Sequence, residues 1–321
     1  MATALLFPGQ GSQQIGMGRE LADHFASARE VFDEVDEALG QKLTNVIWQG
    51  RKEDLTLTEN AQPALMAVSL AVMRVLEVEK GVKLAAAAHY VAGHSLGEYS
   101  ALAAAGALSL ADTARLLRIR GRAMQQAVPV GEGAMVALLG VGVEVGAKLA
   151  QAASRDCQGD VCQVANDNEP RQVVLSGSKR AIERVMQIAG DYKDLGLRRA
   201  LPLPVSAPFH CALMQPAADA MAEALGQVTI NKPVVPLVAN VLASAITDPD
   251  DIRQRLIEQV TGTVRWRESM AYLLANGVTA LYELGAGKVL TGLAGRVDKS
   301  LSAAAVGDVA SINAAAAELA G

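Results

Sequence analysis

Residues 4–7 form a short apolar run that stops at Pro8-Gly9-Gln10-Gly11-Ser12-Gln13. Leu21, Phe25, Ala28, Phe32, Val35 and Leu39 then recur at helical spacing until Gly40. The pattern predicts strand, turn and one helix. A second helix is expected to open at Gln62-Pro63, because proline is tolerated in a first helical turn, and to run through Leu70, Val72 and Leu76. Residues 90–92 read as a strand, followed by the turn Gly93-His94-Ser95-Leu96-Gly97 and a helix opened by Glu98-Tyr99-Ser100. Single strands alternating with long helices point to an α/β layer.

The texture changes after Val128-Pro129. Strands are expected at 134–141, 161–165 and 172–176, helices at 144–153 and 179–189, and an edge strand at 197–204, where prolines remove ladder donors. Asn166 to Arg171 reads as the loop between the two middle strands. This strand-helix-strand-strand-helix-strand order is ferredoxin-like, so residues 130–203 are expected to form a small inserted domain. Residues 1–129 and 204–321 then make the large α/β domain. It resumes with a strand at 234–241, a helix after Asp248-Pro249, a helix at 268–275, a strand at 280–284 and a helix after Gly287.

Composition narrows the function classes. With 321 residues, 51% of them hydrophobic, the chain can bury a large core. A formal net charge of -5 and no basic run interleaved with aromatics argue against a nucleic-acid partner. Cys157, Cys162 and Cys211 lack CxxC spacing, which suits a reducing cytoplasm and speaks against a thiolate metal site. The N-terminus carries no secretory pattern, and the apolar stretch 63–78 contains Arg74 and Glu77, so a buried helix is expected rather than a membrane span. No metal ligand set is expected.

Gly93-His94-Ser95-Leu96-Gly97 matches G-x-S-x-G between strand and helix, the context in which that motif holds a nucleophilic serine. Ser95 could otherwise simply cap the helix. A serine needs a base, and the chain offers His24, His89, His94 and His210. His94 is poorly placed to fold back on its neighbour, whereas His210 lies in the proline-marked loop Ser206-Ala207-Pro208-Phe209-His210. Asp156, Asp160, Asp167, Asp191 and Asp194, between Ser95 and His210, all fall in the small domain, so a backbone carbonyl or an amide could orient the histidine. In the helix around 110–126, Arg115, Arg118 and Arg122 share a face and read as a solvated stripe. Arg120 faces Leu116, Leu117 and Met124, where a guanidinium must pair with a protein carboxylate or with a ligand anion.

The ordered series PGQGSQ, GHSLGEYSAL, RGRAMQ, VANDN, SAPFH and ELGAGKVL closely resembles the malonyl-CoA:acyl carrier protein transacylase family over almost the whole chain. The resemblance implies a hydrolase-like α/β domain with a ferredoxin-like insertion, and malonyl transfer from malonyl-CoA to holo-acyl carrier protein through a malonyl-serine, without cofactor or metal. Ser95 then corresponds to the nucleophile, His210 to the base, and the Gln10 and Leu96 amides to the oxyanion hole. Arg120 corresponds to the carboxylate-binding arginine, and the Gln259 main-chain carbonyl to the group that orients His210, its side chain mattering less. Met124, Asn166 and Phe209 correspond to pocket residues. Ala286 departs from a commonly found proline, and Gly285-Ala286-Gly287-Lys288 lacks the phosphate-loop pattern, leaving a turn and helix start. A cytoplasmic monomer is expected. A serine hydrolase or thioesterase, or a catalytically silent carrier-binding module, are the alternatives.

Overall fold

The computed structural model describes residues 2–205 and 207–319. Its strands are β1 (Ala2–Phe7), β2 (Tyr90–Gly93), β3 (Gly133–Leu139), β4 (Cys162–Glu169), β5 (Gln172–Ser178), β6 (Arg199–Pro202), β7 (Leu237–Ala239), β8 (Ser244–Ile246), β9 (Val278–Leu284) and β10 (Ser302–Val306). They form a six-stranded sheet in the order β10-β9-β1-β2-β7-β8 and a four-stranded sheet in the order β4-β5-β3-β6. In the large sheet every pairing is parallel except that of β8, which returns antiparallel to β7. The small sheet is antiparallel throughout and has the ferredoxin-like strand order. This α/β class, a parallel-sheet core with a small antiparallel sheet, is the one expected from the sequence.

β1 shows why its apolar positions do not alternate with polar ones. Leu5 and Phe7 join the core on one face of the large sheet, Ala4 and Leu6 that on the other, and all four are fully buried. A strand covered on both faces reads as a continuous apolar run. Helix Thr58–Val78 is similarly apolar on all sides. It is the one described helix long and apolar enough to cross a membrane, but 83% of its apolar window is buried within the protein, as a core helix would be. Pro63 lies more than a turn inside this helix rather than opening it. Val136, Leu138, Leu149, Leu175 and Val185 form a separate core under the small sheet.

Three further local expectations are corrected. The single helix expected from Leu21 to Leu39 is two, Arg19–His24 and Ala26–Leu39, because Phe25 is extended at φ -122° and ψ 123°. Apolar spacing runs across that break unchanged. Asn166 to Glu169 is strand rather than loop: β4 continues through it with two register shifts, leaving Pro170 and Arg171 as the turn. The polar run is buried because β4 is an edge strand whose far end docks on the large sheet's loops. There Asp167 N–H donates to Val264 O at 2.9 Å, Val264 N–H to Ala165 O at 2.8 Å, and Arg267 pairs with Asp167 at 2.8 Å. Finally, Arg118 is buried, its guanidinium donating to Asn60 Oδ1 at 2.7 Å, while Arg115 and Arg122 remain exposed. Gly121 brings helix Leu110–Gln126 so close to helix Thr58–Val78 that an added Cβ would lie 2.5 Å from Glu59 Cα, which presses Arg118 against the neighbouring helix.

Candidate active site

Phe7 and Gly93 are partners at the ends of the parallel strands β1 and β2, so the segments that follow them emerge side by side at one edge of the sheet. One begins Pro8-Gly9-Gln10 and the other is the turn carrying Ser95. That turn depends on its glycines. A Cβ on Gly93 would lie 1.9 Å from the backbone of Gly97, and one on Gly97 2.1 Å from Phe7 O, so no larger residue fits without moving main chain. Ser95 itself is left-handed, at φ 54°, as is His210 at φ 58°. For a residue with a side chain such a conformation is strained and persists only where surroundings enforce it. At Ser95 the enforcing group is Asn240, which follows β7: its Oδ1 accepts from Ser95 N–H at 2.8 Å and its Nδ2 donates to Gly93 O at 2.7 Å.

Ser95 Oγ is 2.8 Å from His210 Nε2, and His210 Nδ1 is 2.8 Å from Gln259 O. A carbonyl can only accept, so Nδ1 carries the proton and Nε2 presents a lone pair to the serine hydroxyl. Burial, reinforced by the Arg120 charge, pushes the His210 pKa down to about 3. The imidazole is therefore neutral, and able to accept a proton, at neutral pH. The other histidines do not reach Ser95: His24 is exposed, His89 accepts from Thr3 N–H, and His94 contacts Asn168 Oδ1 at 2.9 Å.

Arg120 is 1% exposed and forms no ion pair with a carboxylate among the described residues. Its guanidinium donates to Gln62 Oε1 at 2.7 Å, Gln259 Oε1 at 2.7 Å and Ser95 Oγ at 3.1 Å. All three acceptors are neutral. The cation is held in place without being neutralised by direct contact, and one of its amino groups lies at the Ser95 hydroxyl.

These groups line a cleft of about 520 Å³ that also takes in Gln10, Leu96, Met124, Asn166 and Phe209. The Gln10 and Leu96 amides, from the two adjacent segments, make no hydrogen bond among the described residues. Every residue that the family resemblance assigned to the site thus lines this cleft except Gln259, which is fully buried beneath it. Ser206 of the SAPFH motif lies outside the described residues. Among them, no group of three or more histidine, cysteine or acidic side chains is placed to hold a metal. Gly285 to Lys288 makes a turn before helix Val289–Val297, whose first amides donate to the Glu283 carboxylate, a structural arrangement.

Four polar residues at the site escaped the sequence reading: Gln62, Glu98, Asn240 and the side chain of Gln259. Gln259 Nε2 donates to Ser95 O at 2.9 Å and to Glu98 Oε2, while its Oε1 receives Arg120. The side chain therefore ties the Ser95 turn, the cation and the buried acid together, more contacts than expected of a side chain that matters less than its carbonyl. Gln259→Ala is expected to cost about 1–3 kcal/mol through the unpaired buried groups it leaves. Expressed in positioning, that is about a 5- to 150-fold fall in acyl loading, read by single-turnover kinetics on protein shown by circular dichroism to be folded. Loading at the normal rate would show that the side chain matters less than the carbonyl.

A serine in a strained strand-to-helix turn, a neutral histidine and two free amides define an acyl-transfer site of the serine type. The profile of the acyl transferase domain family matches residues 4–312. The malonyl CoA-acyl carrier protein transacylase of Bacillus subtilis (strain 168) is 46% identical over 305 residues, spanning 95% of this chain and 93% of its own length. That of Escherichia coli (strain K12) is 45% identical, spanning 97% and 98%. Among solved structures, an acyl-carrier-protein-S-malonyltransferase from Bartonella henselae superposes with a TM-score of 0.95 at 53% identity, covering 100% of both chains. A malonyl-transacylase in complex with its type II PKS acyl-carrier protein superposes with a TM-score of 0.92 at 42% identity, covering 99% of both. The chain belongs to the malonyl CoA-acyl carrier protein transacylase family.

Proposed function

We propose that this enzyme moves a malonyl group from malonyl-CoA to the phosphopantetheine thiol of holo-acyl carrier protein, in fatty acid biosynthesis, through a malonyl ester on Ser95. His210 Nε2 takes the Ser95 proton as Oγ attacks the thioester carbon. The Gln10 and Leu96 amides receive the oxyanion, and coenzyme A leaves as a thiol with the proton from His210. The carrier's thiol then gives its proton to His210 and attacks the ester, and His210 passes that proton to Ser95 Oγ as it leaves. Gln259 O holds the imidazole in the tautomer this cycle needs. Arg120 binds the malonyl carboxylate, and Met124, Asn166 and Phe209 shape the space around the acyl chain.

The observation that carries this reading is the placement of Arg120, whose Nη2 is 3.1 Å from the hydroxyl that His210 activates. It brings a cation to the short acid chain of a malonyl ester. The chemistry needs no cofactor, since proton transfer, nucleophile and oxyanion site are all supplied by the chain. The reading extends to a monomer in the cytoplasm, where Cys157, Cys162 and Cys211 would stay as the free thiols they are. It also takes residues 130–203 as the inserted domain, with 1–129 and 204–321 as the large one.

The test separates transfer from the alternatives by following products. Incubated with malonyl-CoA and holo-carrier, the enzyme is expected to give malonyl-carrier with little free malonate. Malonate as the main product would favour a hydrolase, and tight carrier binding without any acyl adduct would favour a silent binding module.

A further inference from the structure

Glu98 is fully buried directly behind the nucleophile turn, on helix Gly97–Ala104, and the chemistry above makes no use of it. Its carboxyl accepts from Gln259 Nε2 at Oε2 and from Asn240 N–H at Oε1, the latter at 3.3 Å. The Gln259 amide has only one possible orientation. A guanidinium cannot accept, so Oε1 must face Arg120, and Nε2 is left facing the acceptors Glu98 Oε2 and Ser95 O. A single amide thus stands between a buried cation and a buried acid, its dipole aligned from one to the other.

We propose that Glu98 is a positioning residue for substrate selection: through the Gln259 amide it sets how much of the Arg120 charge is left to hold the carboxylate of a malonyl substrate. The inference rests on the reading of Arg120 as the carboxylate site. With Glu98 ionised, Arg120 already has a counter-charge one amide away, and an arriving carboxylate meets a nearly neutral pair. With Glu98 protonated, the whole guanidinium charge faces the cleft. Linkage makes the effect reciprocal: a carboxylate bound at Arg120 favours the protonated acid, so malonyl binding takes up a proton.

The titratable and charged groups around Glu98 are Arg120 from helix Leu110–Gln126, Tyr99 beside it on its own helix, and His210 on the far side of Gln259. Helix Pro249–Thr261 and the segment after β7 present only the amides of Gln259 and Asn240. Tyr99 is pushed up by burial and stays neutral, and His210 is pushed down and stays neutral. Burial pushes Glu98 up to about 8, so it is the group that changes charge near neutral pH. The malonyl carboxylate is ionised throughout this range. The sign follows: malonyl affinity is greatest below pH 8 and falls as pH rises through it.

The experiment measures KM and kcat for malonyl-CoA and acetyl-CoA, with holo-carrier, from pH 6.5 to about 9.5, in wild type, Glu98→Gln, Glu98→Asp and Arg120→Ala. Taking the ratio of the two KM values cancels titrations of coenzyme A and carrier. In wild type the malonyl-to-acetyl KM ratio is expected to rise about tenfold across this range, the effect of one pH unit of coupling between the two carboxylates. Glu98→Gln should flatten the ratio, and Glu98→Asp should restore its slope. A merely structural Glu98 would alter both substrates alike at every pH. A flat wild-type ratio, or a Glu98→Gln profile that follows wild type, overturns the proposal, and the wild-type arm suffices if the glutamine variant does not fold. If the flat ratio accompanies a malonyl preference that Arg120→Ala abolishes, only the role of Glu98 falls. A preference untouched by Arg120→Ala overturns the Arg120 reading as well.

Discussion

Ser95→Ala is expected to lower malonyl transfer by a factor on the order of 10⁶, to the level that binding and the two amides support alone. His210→Ala should fall to about the same floor, and the double variant no further. The three share one floor because serine and histidine act as a unit: without the 2.8 Å contact between Oγ and Nε2 neither forms the ester. Independent contributions would multiply instead. The comparison is a transfer assay on the three variants, each checked by thermal melting. A His210→Ala enzyme within about tenfold of wild type would move the base elsewhere.

Arg120→Ala should damage malonyl transfer selectively. Truncating one partner of a desolvated charged contact costs about 2–5 kcal/mol, or about a 30-fold to several-thousand-fold fall in kcat/KM. Arg120 meets the conditions for the large end of that range, because it is 1% exposed and its three direct partners are neutral. Acetyl carries no terminal charge, so acetyl transfer should suffer much less, and removing an uncompensated buried cation could raise it. Measured side by side on folded protein, equal losses for the two substrates would show that Arg120 serves the structure instead of the malonyl carboxylate.

The parts of this protein legible in the sequence are those set by local pattern. β1, β2 and the glycine-flanked Ser95 turn could be read because a doubly buried strand and a strand-turn-helix elbow leave continuous apolar runs and paired glycines. The misfit of Arg120 was readable from helical spacing alone. What could not be read depends on partners far along the chain. Ser95 and Asn240 are 145 positions apart, so nothing near Asn240 in sequence marks it as part of the site, and Glu98, though it directly follows the Ser95 turn, meets Arg120 only through Gln259, whose Nε2 also reaches a carbonyl 164 positions away. β10, with the sequence Ser-Ala-Ala-Ala-Val, has little strand propensity and exists because it pairs with β9. Arg118 was misplaced for a related reason: charge spacing describes one helix, whereas its burial comes from the close approach of a second at Gly121.

The central claim, that Ser95 carries the acyl group between the two thiols, is tested most directly by mapping the adduct. Wild-type enzyme is mixed with malonyl-CoA, quenched in acid, digested and analysed by mass spectrometry, before and after holo-carrier is added. One malonyl increment is predicted on the peptide containing Ser95, disappearing when the carrier is supplied as malonyl-carrier forms. A malonyl group found on another residue, or one on Ser95 that the carrier cannot remove, would contradict it.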